Sequence, residues 1–592
     1  MGVFHTLRRE IDYLSGMLRV LQRYKDVARH PQRLTPDWLG QVCARFASNI
    51  ALVGDAREWT YAELDSYANK IAHWAVAQGA RRGDVYALFM HNRAEYLAIW
   101  YGLTKVGVVP ALLNHSLSGH SLEHCLGISG VKRAIVEPEL AATMRAAAPD
   151  IDIWSAGGAA PEARDLDRSL RSASAQSPGR GRIEGGTISD LCMIMFTSGT
   201  TGLPKVARMT HSRALGYLSI FSAAAKADAS DRMMMVLPMY HATGGLCGVG
   251  AALAVGGAVI VRRQFSASHF WQEAERFGAT MLMYVGELCR FLMAQPESPA
   301  ERRHKIRVAI GNGLRADVWK RLQARTGIPT IIEFYGATEG NVGLMNINGP
   351  PGAIGRAPSY MGRLFNIALV RHDVETGEAV RGPDGFCIRT APGEVGEAIG
   401  EIRKSDPRYS FEGYHDKEAT EKKILRNTFA PGDAWFRTGD LMRRDELGYF
   451  YFIDRVGDTY RWMAENVATS QVEEALSVFP GIEEAVVYGV IVPGYEGRAG
   501  MAAIVAPKKL DLDALAAHLK AELPPEAVPV FLRFSRSAAT TGTFKYQKTA
   551  LKAEGFDIAR IDQPVMYRTP EGKYETLDQV AYARIQSGEI RL

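Results

Sequence analysis

Three threonines, a serine and two glycines precede a lysine in residues 197–205, TSGTTGLPK. Glycines let a backbone come close to a phosphate chain, hydroxyls and amides donate hydrogen bonds to it, and a lysine adds a point charge. A polyphosphate suits such a loop; a plain surface loop is the other reading. It is not a Walker A loop, because only two residues separate Gly199 from Gly202 where that motif places four before its Gly-Lys. Further on, GNG (311–313), YGATEG (335–340), RTGD (437–440) and DRVGD (454–458) repeat the same ingredients: small residues, hydroxyls, carboxylates and an arginine.

The elements around these stretches predict an α/β architecture. Apolar runs of strand length stand at 85–90, 108–113, 133–136, 191–196, 233–237, 258–261, 280–285, 306–310 and 330–334. Segments with helical spacing, such as 62–78 and 268–277, alternate with them, which argues mainly parallel sheets with ligands at the carboxyl ends of the strands. TSGTTG, GNG and YGATEG all fall at such ends. Residues 156–186, rich in Ala, Ser, Gly and Arg, read as a poorly ordered surface loop. Beyond 360 the texture changes to short strands and Gly or Pro turns, and 472–523 reads as a small α+β unit. The expected division is an amphipathic leader at 1–44, a large domain at 45–456 and a small mobile domain at 457–592.

A chain of 592 residues with 47% hydrophobic and 23% charged residues is a globular protein of more than one domain. Its net charge of +5 implies no nucleic-acid partner. Six cysteines without metal-like spacing read as reduced thiols, which places the protein in the cytoplasm. The uncharged stretch 243–261 has the length of a membrane span, but its six glycines argue for buried core. Phe4, Leu7, Ile11, Leu14, Leu18 and Leu21 form one stripe on an amino-terminal helix whose other faces carry Arg8, Arg9, Arg19, Arg23 and Lys25. The stripe suits either peripheral contact with the inner face of a membrane or docking on the protein's own body.

Taken in order, the motifs resemble the adenylate-forming superfamily of acyl-CoA synthetases, luciferases and peptide-synthetase adenylation domains. The residues are FTSGTTGLPKVARMTHSR (196–213), LPMYHATGG (237–245), FSASHFW (265–271) and YVGELCRFLMAQP (284–296), then GNGLR (311–315), EFYGATEGN (333–341), DRVGDTYRW (454–462), TGTFKYQK (541–548) and LDQVAYARIQSGE (577–589). The last five point to one branch, the fatty acid transport proteins or very-long-chain acyl-CoA synthetases. The resemblance implies ATP, Mg2+ and CoA, with a fatty acid as the acid to be activated. Thr197, Ser198, Gly199, Thr200, Thr201 and Gly202 would wrap the phosphates, assisted by Lys205. Thr338 would touch the α-phosphate and Glu339 would hold Mg2+. Glu333, Phe334, Tyr335 and Gly336 would line adenine and ribose, while Asp440 and Arg455 would bond the ribose hydroxyls. Lys545 would be the catalytic lysine of the small domain, with Lys548 a rival. Gly457 and Asp458 would form the hinge. His241, Tyr284, Gly286, Asn312 and Gly313 would line the acyl site, the small residues leaving room for a chain.

Two departures stand out. Relatives usually carry Lys-Gly-Glu-Asn where this chain has Met463-Ala464-Glu465-Asn466, which puts CoA affinity in question. LPPEAVPVFLR (523–533) replaces a segment with Tyr-Ala-Arg-Pro in relatives. The resemblance implies long-chain or very-long-chain fatty acyl-CoA synthesis, with uptake driven by trapping. Bile-acid-like or carnitine-like acids, and a membrane-surface binding protein with little ligase activity, are the alternatives.

Overall fold

The computed structural model describes residues 3–197, 203–336, 340–403, 409, 411, 417–463, 465–507, 509–535 and 548–592. They form two compact units: one of 1–356 with 402–422, the other of 357–401 with 423–592. Position 457, the expected boundary, lies inside the second unit.

All nine apolar runs are strands, because a strand covered on both faces needs apolar side chains at every position. In the first unit an eight-stranded sheet runs Gly343–Asn346, Thr330–Gly336, Val308–Asn312, Met281–Val285, Arg232–Met235, Ala258–Val261, Ile50–Val53, Glu58–Thr60, with parallel pairing except at its two edges. A seven-stranded sheet runs Arg164–Asp165, Asp152–Ser155, Val131–Val136, Val85–Phe89, Val109–Leu112, Leu191–Thr197, Lys205–Thr210. Only its last pair is antiparallel. The glycine-rich stretch is buried core as expected, a π-helical turn at Thr243–Gly248 running into Val249–Leu253 and the central strand Ala258–Val261. Glycine is required there: a Cβ on Gly250 would lie 2.2 Å from the Leu218 carbonyl oxygen.

The second unit holds an antiparallel set, Tyr449–Arg455, Ala434–Arg444, Val395–Glu401 and Ile367–Val370. Its carboxyl-terminal part has a mixed sheet of Glu484–Val490, Ala499–Val505, Phe531–Ser535, Val565–Arg568 and Tyr574–Thr576, covered by helices such as Thr469–Ser477 and Leu512–Glu522. Valines, alanines and Phe531 between these layers are almost fully buried.

Two expectations are corrected. Residues 156–186 are ordered into the body: Leu166, Leu170 and Ile183 are buried, and Arg180 and Arg182 donate to the carbonyls of Gln32 (2.7 Å) and Ala80 (3.2 Å). Composition hid this, since an arginine can bond backbone carbonyls of the body while its side chain stays exposed, as both do here. The amino-terminal helix, α1 (Val3–Arg29), docks on the first unit, with Leu21 of the expected stripe half-buried and the side chains of Phe4 and Leu7 outside the described residues. Tyr13, Met17, Val20 and Val27 are the buried residues, while Ile11, Leu14 and Leu18 are 58%, 42% and 56% exposed. The docked face meets helix α2 (His211–Ala224), where Tyr24 packs 3.1 Å from the Cβ position of Gly216 and Arg19 donates to Ala223 O at 3.1 Å. Arg356 is held by Glu10 at 2.6 Å, and its carbonyl accepts from the Tyr13 hydroxyl at 2.7 Å.

Candidate active site

The phosphate-loop candidate stands between two strands paired antiparallel as a β-hairpin. Leu191–Thr197 rises, Lys205–Thr210 returns, and Thr197 lies opposite Lys205 in the antiparallel register. The hairpin therefore fixes both ends of the loop and sets Lys205 at its base. Ser198, Gly199, Thr200, Thr201 and Gly202 lie outside the described residues.

The second motif ends the strand Thr330–Gly336, where Tyr335 and Gly336 pair with Leu344 and Gly343. The Phe334 ring packs 4.7 Å from that of Phe221 on α2. Thr338 and Glu339 lie outside the described residues.

Glu333 is fully buried, and its carboxyl faces the interior. Tyr284, Gly311 and Glu333 stand side by side on three parallel strands. The Tyr284 ring crosses over Gly311, where any Cβ would sit 2.4 Å from it, and its hydroxyl donates to Glu333 Oε2 at 2.5 Å. The other oxygen accepts from the Leu314 amide at 3.0 Å. Burial pushes the Glu333 carboxyl up to about 8, against these hydrogen bonds. The group thus ties the GNG turn to the strand that carries Tyr335 and ends in Gly336.

The residues expected to line an acyl site are placed as follows. Tyr284 is fully buried and engaged with Glu333. Gly286 permits a close backbone crossing, since its Cβ would meet Gly313 O at 1.8 Å, and Gly313 itself has φ +77°. Asn312 ends its strand with a buried amide oxygen that has no hydrogen-bond partner among the described residues. His241 lies 5.3 Å, ring to ring, from Tyr240.

Tyr240 leads to a cluster that the motifs did not flag. His115 packs edge-on against Tyr240 at 5.8 Å and stacks on His91 at 4.0 Å. Burial first, then the neighbouring His91, drives the His115 imidazole down to about 4, so it is neutral. Asn92 holds the turn before Tyr240, donating to Leu237 O at 2.7 Å and accepting from the Met239 amide at 2.8 Å. MHN (90–92) and NHS (114–116), each closing a parallel strand, were the signal. His91, Glu137 and Glu139 come together as metal ligands would. However, the Arg263 guanidinium pairs with both carboxylates, 3.0 Å from Glu137, so the trio is an ion-pair cluster.

In the second unit Asp440 and Arg455 face each other across the ladder of Ala434–Arg444 and Tyr449–Arg455, with Arg455 Nε 3.5 Å from Asp440 Oδ1. Arg437 of the same motif is structural: it grips buried Glu397 at 2.8 Å. Thr438 bonds Ala398 O at 2.7 Å, and Gly439 turns with φ +77°. The hinge candidates follow. Gly457 has φ +88°, and Asp458 is paired at 2.6 Å with Lys552 of helix α3 (Lys548–Glu554). Lys545 lies outside the described residues. Its rival Lys548 is immobilised, 3.0 Å from Glu473 and 2.9 Å from the Thr469 hydroxyl. Burial would lower its ammonium, but Glu473, Asp458 and Asp454 outweigh this and hold it above its ordinary value.

Residues 39–414 match the AMP-binding enzyme family and 471–545 its AMP-binding enzyme C-terminal domain. The chain belongs to the AMP-binding enzyme family. It is 40% identical to long-chain fatty acid transport protein 1 of Bos taurus over its whole length and 93% of that protein, which places it in the fatty acid transport protein branch. An anthranilate CoA ligase in complex with anthranoyl-AMP shares the fold, with TM-score 0.74 at 20% identity over 89% of this chain and 98% of that one. A fatty acyl CoA synthetase of Mycobacterium tuberculosis is similar at TM-score 0.60 and 25% identity, over 88% and 98%. The protein is thus an adenylate-forming acyl-CoA ligase that uses ATP and CoA. The six cysteines are free and buried, and no helix among the described residues is long and apolar enough to cross a membrane.

Proposed function

We propose that the acid is a long-chain or very-long-chain fatty acid and that the enzyme works at the cytoplasmic face of a membrane. The full-length match to a long-chain fatty acid transport protein carries this reading. Trapping the acid as a CoA ester, which does not cross a bilayer, then gives transport without a pore.

A carboxylate does not react with a thiol at neutral pH because hydroxide leaves poorly. Joining it to AMP creates an anhydride with a good leaving group. The carboxylate oxygen attacks the α-phosphorus as the bond to pyrophosphate breaks; the thiolate of CoA then attacks the carbonyl carbon and AMP departs. In this scheme the hairpin turn 198–202 cradles the phosphates, Lys205 and Lys545 offset their charge, and Thr338 bonds the α-phosphate. Asp440 and Arg455 hold the ribose, and Tyr335 offers a flat face to adenine. Glu339 would hold Mg2+, since a carboxylate beside a triphosphate supplies the hard oxygen donors this cation takes; the ion would neutralise phosphate charge.

Pyrophosphate release and CoA-ester formation across a panel of free acids test the reading. Stimulation that rises with chain length supports it. Stimulation only by short, aromatic or steroid acids would replace the substrate and leave the ligase class standing.

A further inference from the structure

Beside the hinge candidates Gly457 and Asp458, wholly within the second unit, lies a cleft of 470 Å³. That is the size of a small-molecule site. Glu375, Asp458, Arg461, Ile491, Arg498 and Lys552 are among the residues that line it. Close backbone packing builds it. Gly497, at φ +82°, presses the turn after Glu484–Val490 against Arg461, whose carbonyl oxygen would lie 2.1 Å from any Cβ there and accepts from the Arg498 amide at 2.7 Å. Gly489 approaches Tyr460 as closely, since a Cβ on it would lie 2.7 Å from Tyr460 Cβ. Arg461 and Arg498 are thereby rooted side by side on hydrogen-bonded backbones.

The charges in this lining do not cancel. Lys552 pairs with Asp458 at 2.6 Å, and Arg461 with Glu375 at 2.8 Å. Arg498 is exposed and has no carboxylate partner among the described residues. The cleft therefore accommodates one more anion, where one guanidinium is unpaired and its neighbour is held only by a carboxylate that is itself 61% exposed. A guanidinium fork meets phosphate oxygens two at a time, so two adjacent forks suit a phosphate better than a carboxylate. Ile491, 69% exposed, adds an apolar surface that a sugar or base can cover. A long acyl chain would ask for a far larger apolar wall.

We infer that this cleft seats the phosphate of a phosphorylated nucleotide, with Arg498 as its principal ligand and Arg461 beside it. The reaction brings two such groups to the enzyme, the 3′-phosphorylated end of CoA and free ATP or AMP. The inference uses the need for these co-substrates and does not depend on the identity of the acid.

Equilibrium dialysis of the full chain with adenosine 3′,5′-bisphosphate, which is the nucleotide end of CoA, tests it. Beside it stand the KM values for CoA and for dephospho-CoA in the conversion of supplied acyl-adenylate. Arg498→Ala should bind the bisphosphate about tenfold more weakly and raise the KM for CoA by about the same factor. The KM for dephospho-CoA, which lacks the 3′-phosphate, should stay where it is in the parent, and so should the unfolding midpoint. Arg498→Gln, which keeps most of the stem and loses the charge, should behave alike and replaces the alanine variant if that one fails to fold. A second equivalent of ATP bound by the parent and lost in both variants, with the KM for CoA unmoved, would assign the cleft to a free nucleotide. Unchanged binding of bisphosphate, CoA and ATP in both variants would overturn the inference. A fall in kcat at an unchanged KM for CoA would also overturn it, by placing Arg498 in the chemical step. Activation of only short or aromatic acids would replace the proposed substrate and leave this cleft standing.

Discussion

The Tyr284 hydroxyl and the Glu333 carboxyl, both fully buried, meet at 2.5 Å across the backbone of Gly311. Because the carboxyl is held at about 8, well above its ordinary 4.5, the folded chain keeps a proton there that the unfolded chain loses. Stability from this group is therefore complete below the ordinary carboxyl range and is lost as pH rises through about 8. Within that window the slope is roughly 1.4 kcal/mol per pH unit. In Glu333→Gln the amide keeps the shape and does not titrate, so its urea midpoint should fall less between pH 5 and 8 than the parent's. Parallel pH profiles for the two proteins would show that the carboxyl does not titrate as described.

Met463 is one of three non-glycine residues with positive φ among the described residues, at +51°, and it stands at the turn between Tyr460–Trp462 and Glu465–Val467. An asparagine tolerates this left-handed conformation better than methionine. Met463→Asn should raise stability by about 0.5–1 kcal/mol, read as a higher urea midpoint at unchanged slope. A fall in midpoint would mean that the half-exposed methionine contributes packing that outweighs its backbone strain.

Deleting residues 1–30 would expose Leu215 and Ile188, which pack against Val27, and leave buried Arg356 without Glu10. Exposing buried apolar side chains costs about 1.5–3 kcal/mol each. The truncated chain should unfold at a distinctly lower temperature. An unchanged thermal midpoint would show that the helix contributes little to the body.

The legibility of the sequence follows from what burial writes into it. Parallel strands such as 281–285 and 308–312 are covered on both faces and read as unbroken apolar runs. The helix 3–29 is harder because it is apolar on two opposite lines: leucines and Ile11 on one, Tyr13, Met17, Val20 and Val27 on the other. Periodicity favours the leucines, and packing chose the second line, whose Tyr13 gains a hydrogen bond to Arg356 O. Glu333 was misleading for another reason. A carboxylate two residues before Tyr335 looks like a ligand contact, and nothing local announces that Tyr284, 49 residues earlier, will meet it. Asp440 and Arg455 were legible because each stood in a polar motif, and the antiparallel register sets them opposite one another.

The Arg455 side chain is 57% exposed, so its removal should leave the fold intact. If it and Asp440 hold ribose hydroxyls, Arg455→Ala should raise the KM for ATP in pyrophosphate exchange by about tenfold, the effect of losing one charge-assisted hydrogen bond. The KM for the acid should not move. A fall in kcat with an unchanged KM for ATP would place the arginine in the chemical step instead.

Lys545 and Lys548 are three residues apart, yet they are expected to fail differently when removed. Lys548 already has partners in Glu473 and Thr469, deep enough that its loss leaves Glu473 facing a low-dielectric interior. Breaking one side of such a pair costs about 3–5 kcal/mol, so Lys548→Met should lower the unfolding midpoint of the second unit. Both half-reactions should then decline together as folded protein is lost. Lys545→Ala should leave the midpoint unchanged and abolish acyl-adenylate formation, because a cation offsetting phosphate charge matters only while pyrophosphate is leaving. Conversion of supplied acyl-adenylate to acyl-CoA should persist. Single-turnover assays of the two steps on both variants, set beside their melting curves, separate the roles. Should Lys548→Met melt like the parent and lose only adenylation, the catalytic role would pass to Lys548, and its contact with Glu473 would then have to open during turnover.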